Sequence, residues 1–112
     1  MPDTVPDWLT VPDAASELGI PVTRVHQLLR DGALLGSRID GVLKIPADFV
    51  RDGQVIKGLT GTITLLRDAG YDDEAALDWL YRPDASLPGT PVQALAENRG
   101  TEVKRRAQAS AF

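Results

Sequence analysis

Cysteine is absent from the sequence, and histidine occurs once, as His26. The first absence excludes disulfides, thiolate metal sites and cysteine nucleophiles. The second removes the imidazole clusters on which zinc sites and Ser-His-Asp triads depend. An Asp, Glu, Lys or Arg interrupts every apolar run well short of bilayer length, so no membrane-spanning segment is expected. The opening MPDTVPDW is acidic and carries proline in place of an apolar core, which is unlike a signal peptide. A soluble cytoplasmic protein without a metal or other cofactor is the expectation. At 112 residues and 43% hydrophobic content, the chain can form one compact domain or two very small ones.

Positive charge is scarce, and its placement is informative. The formal net charge is −4. Residues 1–19 carry four acids and no base, and residues 46–98 carry nine acids against four bases. The bases gather in two places. Residues 20–45 hold Arg24, Arg30, Arg38 and Lys44 against Asp31 and Asp40, and the tail holds Arg99, Lys104, Arg105 and Arg106 against Glu102. An electrostatic footprint is a property of a local surface, so an acidic chain can still present a cationic face to nucleic acid.

The pattern predicts an N-terminal arm over residues 1–9, a compact unit over 10–57 and a helical region over 58–112. Thr10 can cap a first helix that tolerates Pro12 in its opening turn and stops at Gly19. A second helix starts near Pro21, carries Val22, Val25, Leu28 and Leu29 on one face, and ends at Gly32. In LLGSRIDGVLKI, two short extended runs flank Asp40-Gly41, the dipeptide suited to a two-residue hairpin turn. Pro46 closes that hairpin, PADFV can tuck Phe49 inward, and RDGQVIKG reads as a connector or further strand. Beyond it, helices are expected from about Gly61 to Ala69, after Asp72, after Thr90-Pro91 and after Thr101, with RPDASLPG as a loop.

Residues 14–32, AASELGIPVTRVHQLLRDG, meet the spacing of a helix-turn-helix. A small residue is needed where the two helices touch, then a glycine for a left-handed turn, then two aliphatics that fasten the second helix. Ala15, Gly19, Val25 and Leu28 stand at those positions. Opposite the apolar stripe, Thr23, Gln27 and Arg30 are flanked by Arg24 and His26. Arg suits guanine, Gln suits adenine, and Thr suits a phosphate or a thymine methyl. The hairpin adds Arg38 and Lys44 where a wing would meet the DNA backbone. As a metal ligand His26 has no companion, and it reads as a polar contact.

Residues LTVPDAASELGIPVTRVHQLLRDGALLGSRIDGVLKIPADF resemble the winged helix-turn-helix of MerR-like and excisionase-like proteins. The whole chain is similar to a small actinobacterial DNA-binding family in which a winged domain precedes a helical C-terminal domain. The resemblance implies a mainly α fold with a two-stranded β-hairpin wing. It also implies a double-stranded DNA partner and a regulatory or nucleoid-associated role without enzymatic activity. Recognition helices of this type usually open on Ser or Thr, where this chain has Pro21.

The C-terminal half leaves two readings open. Trp79, Pro83, Leu87, Gly89, Pro91, Leu95, Gly100 and Val103 faintly resemble the partner-binding domain of Xre-type antitoxins, or they are core and turn residues of a helical bundle. The first reading makes the protein an interaction module, through which it binds a partner or forms a homodimer. Lys104, Arg105 and Arg106 can add a second phosphate contact or complement a helix C-terminus. Asp72, Asp73, Glu74 and Asp78 could serve acid–base or metal chemistry, but three of them stand in a helix's first turn, where the macrodipole favours negative charge. GLTGT lacks the lysine of a P-loop.

Overall fold

The structure, a computed structural model, describes residues 5–84, 87 and 89–110. The first four residues of the expected arm and part of the 82–89 loop lie outside the described residues. Strand β1 (Trp8–Thr10) runs directly into helix α1 (Val11–Leu18), which is followed by α2 (Val22–Arg30). Next come β2 (Ser37–Ile39) and β3 (Val42–Pro46), a 3-10 turn at Ala47–Phe49, and a small hairpin of β4 (Val50–Arg51) and β5 (Gln54–Val55). Four helices complete the chain: α3 (Leu59–Asp68), α4 (Asp73–Leu80), α5 (Pro91–Ala96) and α6 (Gly100–Ala109).

Local chemistry fixes most of the helix ends. The Thr10 hydroxyl accepts from the Asp13 amide and the Asp72 carboxylate from the Ala75 amide. At α5 the capping box is complete, since Thr90 accepts from the Gln93 amide while the Gln93 side chain accepts from the Thr90 amide. Thr101, expected as the cap of the last helix, lies inside it: α6 begins at Gly100, with Arg99 at its N-cap and no side-chain cap. Helix α3 likewise starts at Leu59, ahead of the expected Gly61. Asp40 and Gly41 take φ of 53° and 80°, the positive pair that a type I′ hairpin turn requires. Asp52-Gly53 repeats the device in the β4–β5 hairpin, so RDGQVIKG carries strands.

The wing departs from the expected two strands. Its sheet has three, in the order β1-β3-β2, because Trp8, Leu9 and Thr10 pair antiparallel with Pro46, Ile45 and Lys44. Trp8 and Leu9, assigned to the arm from sequence, thus form the sheet edge. Val5 is buried ahead of them.

One continuous core joins the winged unit to the C-terminal helices. It runs from Ala14, Val25 and Ile45 through Phe49 to Leu66, Leu77, Leu95 and Val103, all fully or nearly fully buried. Phe49 stacks obliquely on Tyr81 with ring centroids 6.2 Å apart, and the Tyr81 hydroxyl donates to Asp48 at 2.9 Å. At the opposite end of α4 the buried Ser37 donates to Glu74 at 2.5 Å. Burial and the adjacent Asp48 carboxylate hold the Tyr81 phenol far above its ordinary range.

Two outcomes follow. Phe49→Ala should cost about 3–5 kcal/mol. Urea unfolding followed by far-UV circular dichroism and by Trp8 fluorescence, in a Trp79→Phe background, should then show one coincident transition. Separate transitions would mean that the halves fold independently. Because the folded-state pKa of Tyr81 is raised, its contribution is intact below the unfolded value of about 10 and is lost as pH rises beyond it. Stability of the wild type should therefore fall more steeply above that pH than stability of Tyr81→Phe, as read by urea midpoints across an alkaline series.

Candidate nucleic-acid interface

The turn between α1 and α2 positions the candidate recognition helix. Gly19 takes φ 67° and ψ 33°, its amide donates to the Ser16 carbonyl, and the Ile20 amide donates to Ala15. This left-handed closure stops α1 and redirects the chain within two residues. Ala15 and Val25 are buried where the helices meet, and Leu28 and Leu29 lean against the same core. Pro21 caps α2 through its backbone alone, its carbonyl accepting from the Arg24 and Val25 amides. No side chain caps the first turn of α2.

The opposite face of α2 is free. Thr23, Arg24, His26, Gln27 and Arg30 are all exposed. Among the described residues none of them makes an ion pair or a side-chain hydrogen bond. The C-terminal half differs: Arg67 pairs with Asp73, Arg82 with Asp78, Arg99 with Glu97 and Glu102, and Arg106 with Asp84. The Arg99 hydrogen bond holds the Glu102 carboxyl below its usual range. Asp72, Asp73, Glu74 and Asp78 therefore have structural duties as a cap, two ion-pair partners and the acceptor for Ser37.

The wing separates its two cations. In the β2–β3 register Arg38 stands opposite Leu43, and Lys44 stands opposite Ser37. Directly opposed residues share a face and successive residues alternate, so Arg38 and Lys44 lie on opposite faces. The Leu43 face adjoins α2, since the space beside Gly36 is closed by both Leu43 and Leu29. Arg38 accordingly shares the α2 side and donates to the Gly41 carbonyl at 3.4 Å. Lys44, half-buried in the central strand, shares the face that meets Glu74 through Ser37.

Val22 was expected to join the buried stripe of α2. It is instead 40% exposed, at the helix's first position. Val42, beside the wing turn, is 49% exposed. These are the large apolar side chains that the described residues leave open. In the tail, Lys104, Arg105 and Arg106 are consecutive on a helix, so about 100° separates each from the next and they cannot share one face. Arg106 turns to Asp84, Arg105 acts on Glu102, and Lys104 lies along α3.

Two helices joined by a left-handed glycine turn, the second polar face outward and followed by a β-wing, define a winged helix-turn-helix protein. Family models agree: residues 1–50 match the DNA-binding protein Rv2175c, wHTH domain, and residues 56–111 match the Rv2175c C-terminal domain of unknown function. The chain belongs to the Rv2175c family. It is 42% identical over 115 residues to the DNA-binding protein Rv2175c of Mycobacterium tuberculosis, covering 91% of this chain and 79% of that protein. An excisionase of Streptomyces ambofaciens is 36% identical over 52 residues, 46% of this chain and 84% of its own. The NMR structure of Rv2175c superposes with a TM-score of 0.87 at 39% identity, covering all of this chain and 84% of that one.

Gly19 tests the turn. Its added Cβ would meet open space, so substitution costs backbone strain alone. Gly19→Val should lose about 1–2 kcal/mol in urea unfolding. Gly19→Asn, which tolerates the left-handed region, should lose clearly less.

Proposed function

We propose that the protein binds double-stranded DNA through α2 and the wing and acts as a transcriptional regulator or nucleoid-associated factor. The observation that carries this reading is the outward face of α2, where the exposed side chains of Arg24, Arg30, His26, Gln27 and Thr23 make no ion pair or hydrogen bond among the described residues. Such a face lies in the major groove with its N-terminal residues at base edges. Thr23, His26 and Gln27 then meet the bases, with Arg24 shared between base and phosphate. Arg30, Arg38 and Lys44 neutralise phosphates. With Arg38 and Lys44 on opposite faces, a wing entering edge-on would meet a different backbone strand with each. The names of the relatives, a DNA-binding protein and an excisionase, support the same reading. The winged unit of residues 10–57 would do the reading, on the support of residues 58–112. A cytoplasmic, nucleoid-associated location fits this role, and among the described residues no helix is long and apolar enough to cross a membrane. Dimerisation would raise the affinity available from so few cations.

Fluorescence anisotropy of a labelled mixed-sequence duplex, titrated at several salt concentrations, tests the proposal. Binding should weaken steeply with salt, and Arg30→Glu should abolish it while leaving the thermal midpoint near wild type. Arg38→Glu should weaken binding more than Lys44→Glu, because Arg38 shares the α2 side. Absence of wild-type binding at low salt would overturn the proposal and turn attention to a protein partner for the C-terminal helices.

A further inference from the structure

We propose that the C-terminal helices carry a second DNA contact, in which Lys57 and Lys104 hold phosphates of the duplex flanking the segment read by α2. The inference rests on the DNA-binding reading above. It gives residues 56–111 a part in binding beyond bracing the wing.

Most cations of the C-terminal half are engaged, and Arg105, exposed on α6, acts on Glu102. Arg67, Arg82, Arg99 and Arg106 are ion-paired, and Arg51 donates to the Ala96 carbonyl. Lys57 and Lys104 are exposed, and among the described residues neither has an ion pair or hydrogen bond. They come from different elements, one just before α3 and one on α6, yet line the same small pocket of about 190 Å³ with Gly58 and Thr101. Two glycines bring them together. A Cβ at Gly61 would stand 2.8 Å from Lys104 Cε, so the lysine lies across α3 only because that position is bare. At Gly58 and Gly100 the two backbones approach closely enough that a Cβ on Gly58 would be 3.5 Å from the Gly100 Cα. Two unpaired ammonium groups held at one place repel each other, and a shared anion relieves that repulsion.

This pair adjoins the reading helix. The Thr60 hydroxyl donates to the Ala33 carbonyl at 3.1 Å, just past the end of α2, and Gly61 beneath Lys104 is the next residue. Arg30 on the last turn of α2, Thr60 on α3 and Lys104 on α6 therefore occupy neighbouring elements along one edge of the molecule. Asp31 is the exposed acid at the start of that edge. A surface continuous with the reading helix, carrying two unpaired lysines beside arginines that are mostly ion-paired, complements a phosphate backbone that continues past the reading site.

The same labelled mixed-sequence duplex separates the possibilities. Lys57→Gln/Lys104→Gln should lose about tenfold in affinity at low salt and lower the salt slope by about 2, one phosphate for each lysine. Arg51→Gln/Arg82→Gln, with the same loss of charge elsewhere on the C-terminal half, should keep both near wild type. Gly61→Leu, which evicts Lys104 from α3 while keeping its charge, should reproduce part of the loss in protein whose circular dichroism is native. Equal losses in the two Gln pairs would mean diffuse attraction, and no loss in either would mean no contact; each overturns the inference. If Arg30→Glu abolishes binding while the lysine pair changes nothing, the α2 reading stands and this one falls. If the wild type binds no duplex at low salt, both fall.

Discussion

Burial of Phe49 is the constraint on which the arrangement depends. The ring hangs from a 3-10 turn that follows the last wing strand without a linker, and it is wholly enclosed. To enclose it, α4 must bring Tyr81 to the turn, and the Tyr81 hydroxyl then finds its acceptor one residue away at Asp48. With Ser37–Glu74 holding β2 and Phe49–Tyr81 holding the end of β3, the wing sheet is fastened to the helices at two points. A unit of about 50 residues taken alone buries too small a share of its surface to be more than marginally stable. The two segments matched by separate family models share a single core.

Charge is distributed by the same division. Nearly all the carboxylates that make the chain acidic fall outside residues 20–45. In the C-terminal half they are spent on neighbouring arginines, on helix caps and on Ser37. Exposed pairs of this kind add little stability, but they cancel positive charge where it stands. Among the described residues no carboxylate pairs with Arg24 or Arg30, so a net charge of −4 coexists with unpaired cations on α2.

What was legible in the sequence follows the range of the interactions. The Thr10, Asp72 and Thr90 caps, the Gly19 turn and the Asp40-Gly41 hairpin are decided within about four residues, and each forms as its local chemistry requires. Strand β1 was illegible because three residues carry no periodicity. Trp8–Thr10 become a strand only when β3, more than thirty positions on, offers an edge. Val22 obeys the helical period of the buried stripe, yet at the first position of α2 it stays exposed. The Arg106–Asp84 pair spans 22 positions, and nothing in the run Lys104-Arg105-Arg106 marks which cation is spoken for. Alternation along β2 and β3 would have separated Arg38 from Lys44, but which face looks toward α2 depends on Leu29 and Leu43 meeting at Gly36.

The two ends of α2 are held in opposite ways. At its C-terminal end the chain leaves through Gly32 at φ 77°, beneath the guanidinium of Arg67, which is itself paired with Asp73 at the start of α4. A Cβ on Gly32 would collide with Arg67 Nη1 at 2.6 Å, and the next carbonyl, that of Ala33, accepts from Thr60. At the N-terminal end stand a proline without a side-chain cap and an exposed valine. Anchoring of its C-terminal end by α3 and α4 adds to the burial of Val25 against α1 in fixing the orientation of α2. Pre-organisation of that kind lowers the cost of ordering on binding. It is supplied by α3 and α4, elements that need not touch DNA to affect how α2 would read it.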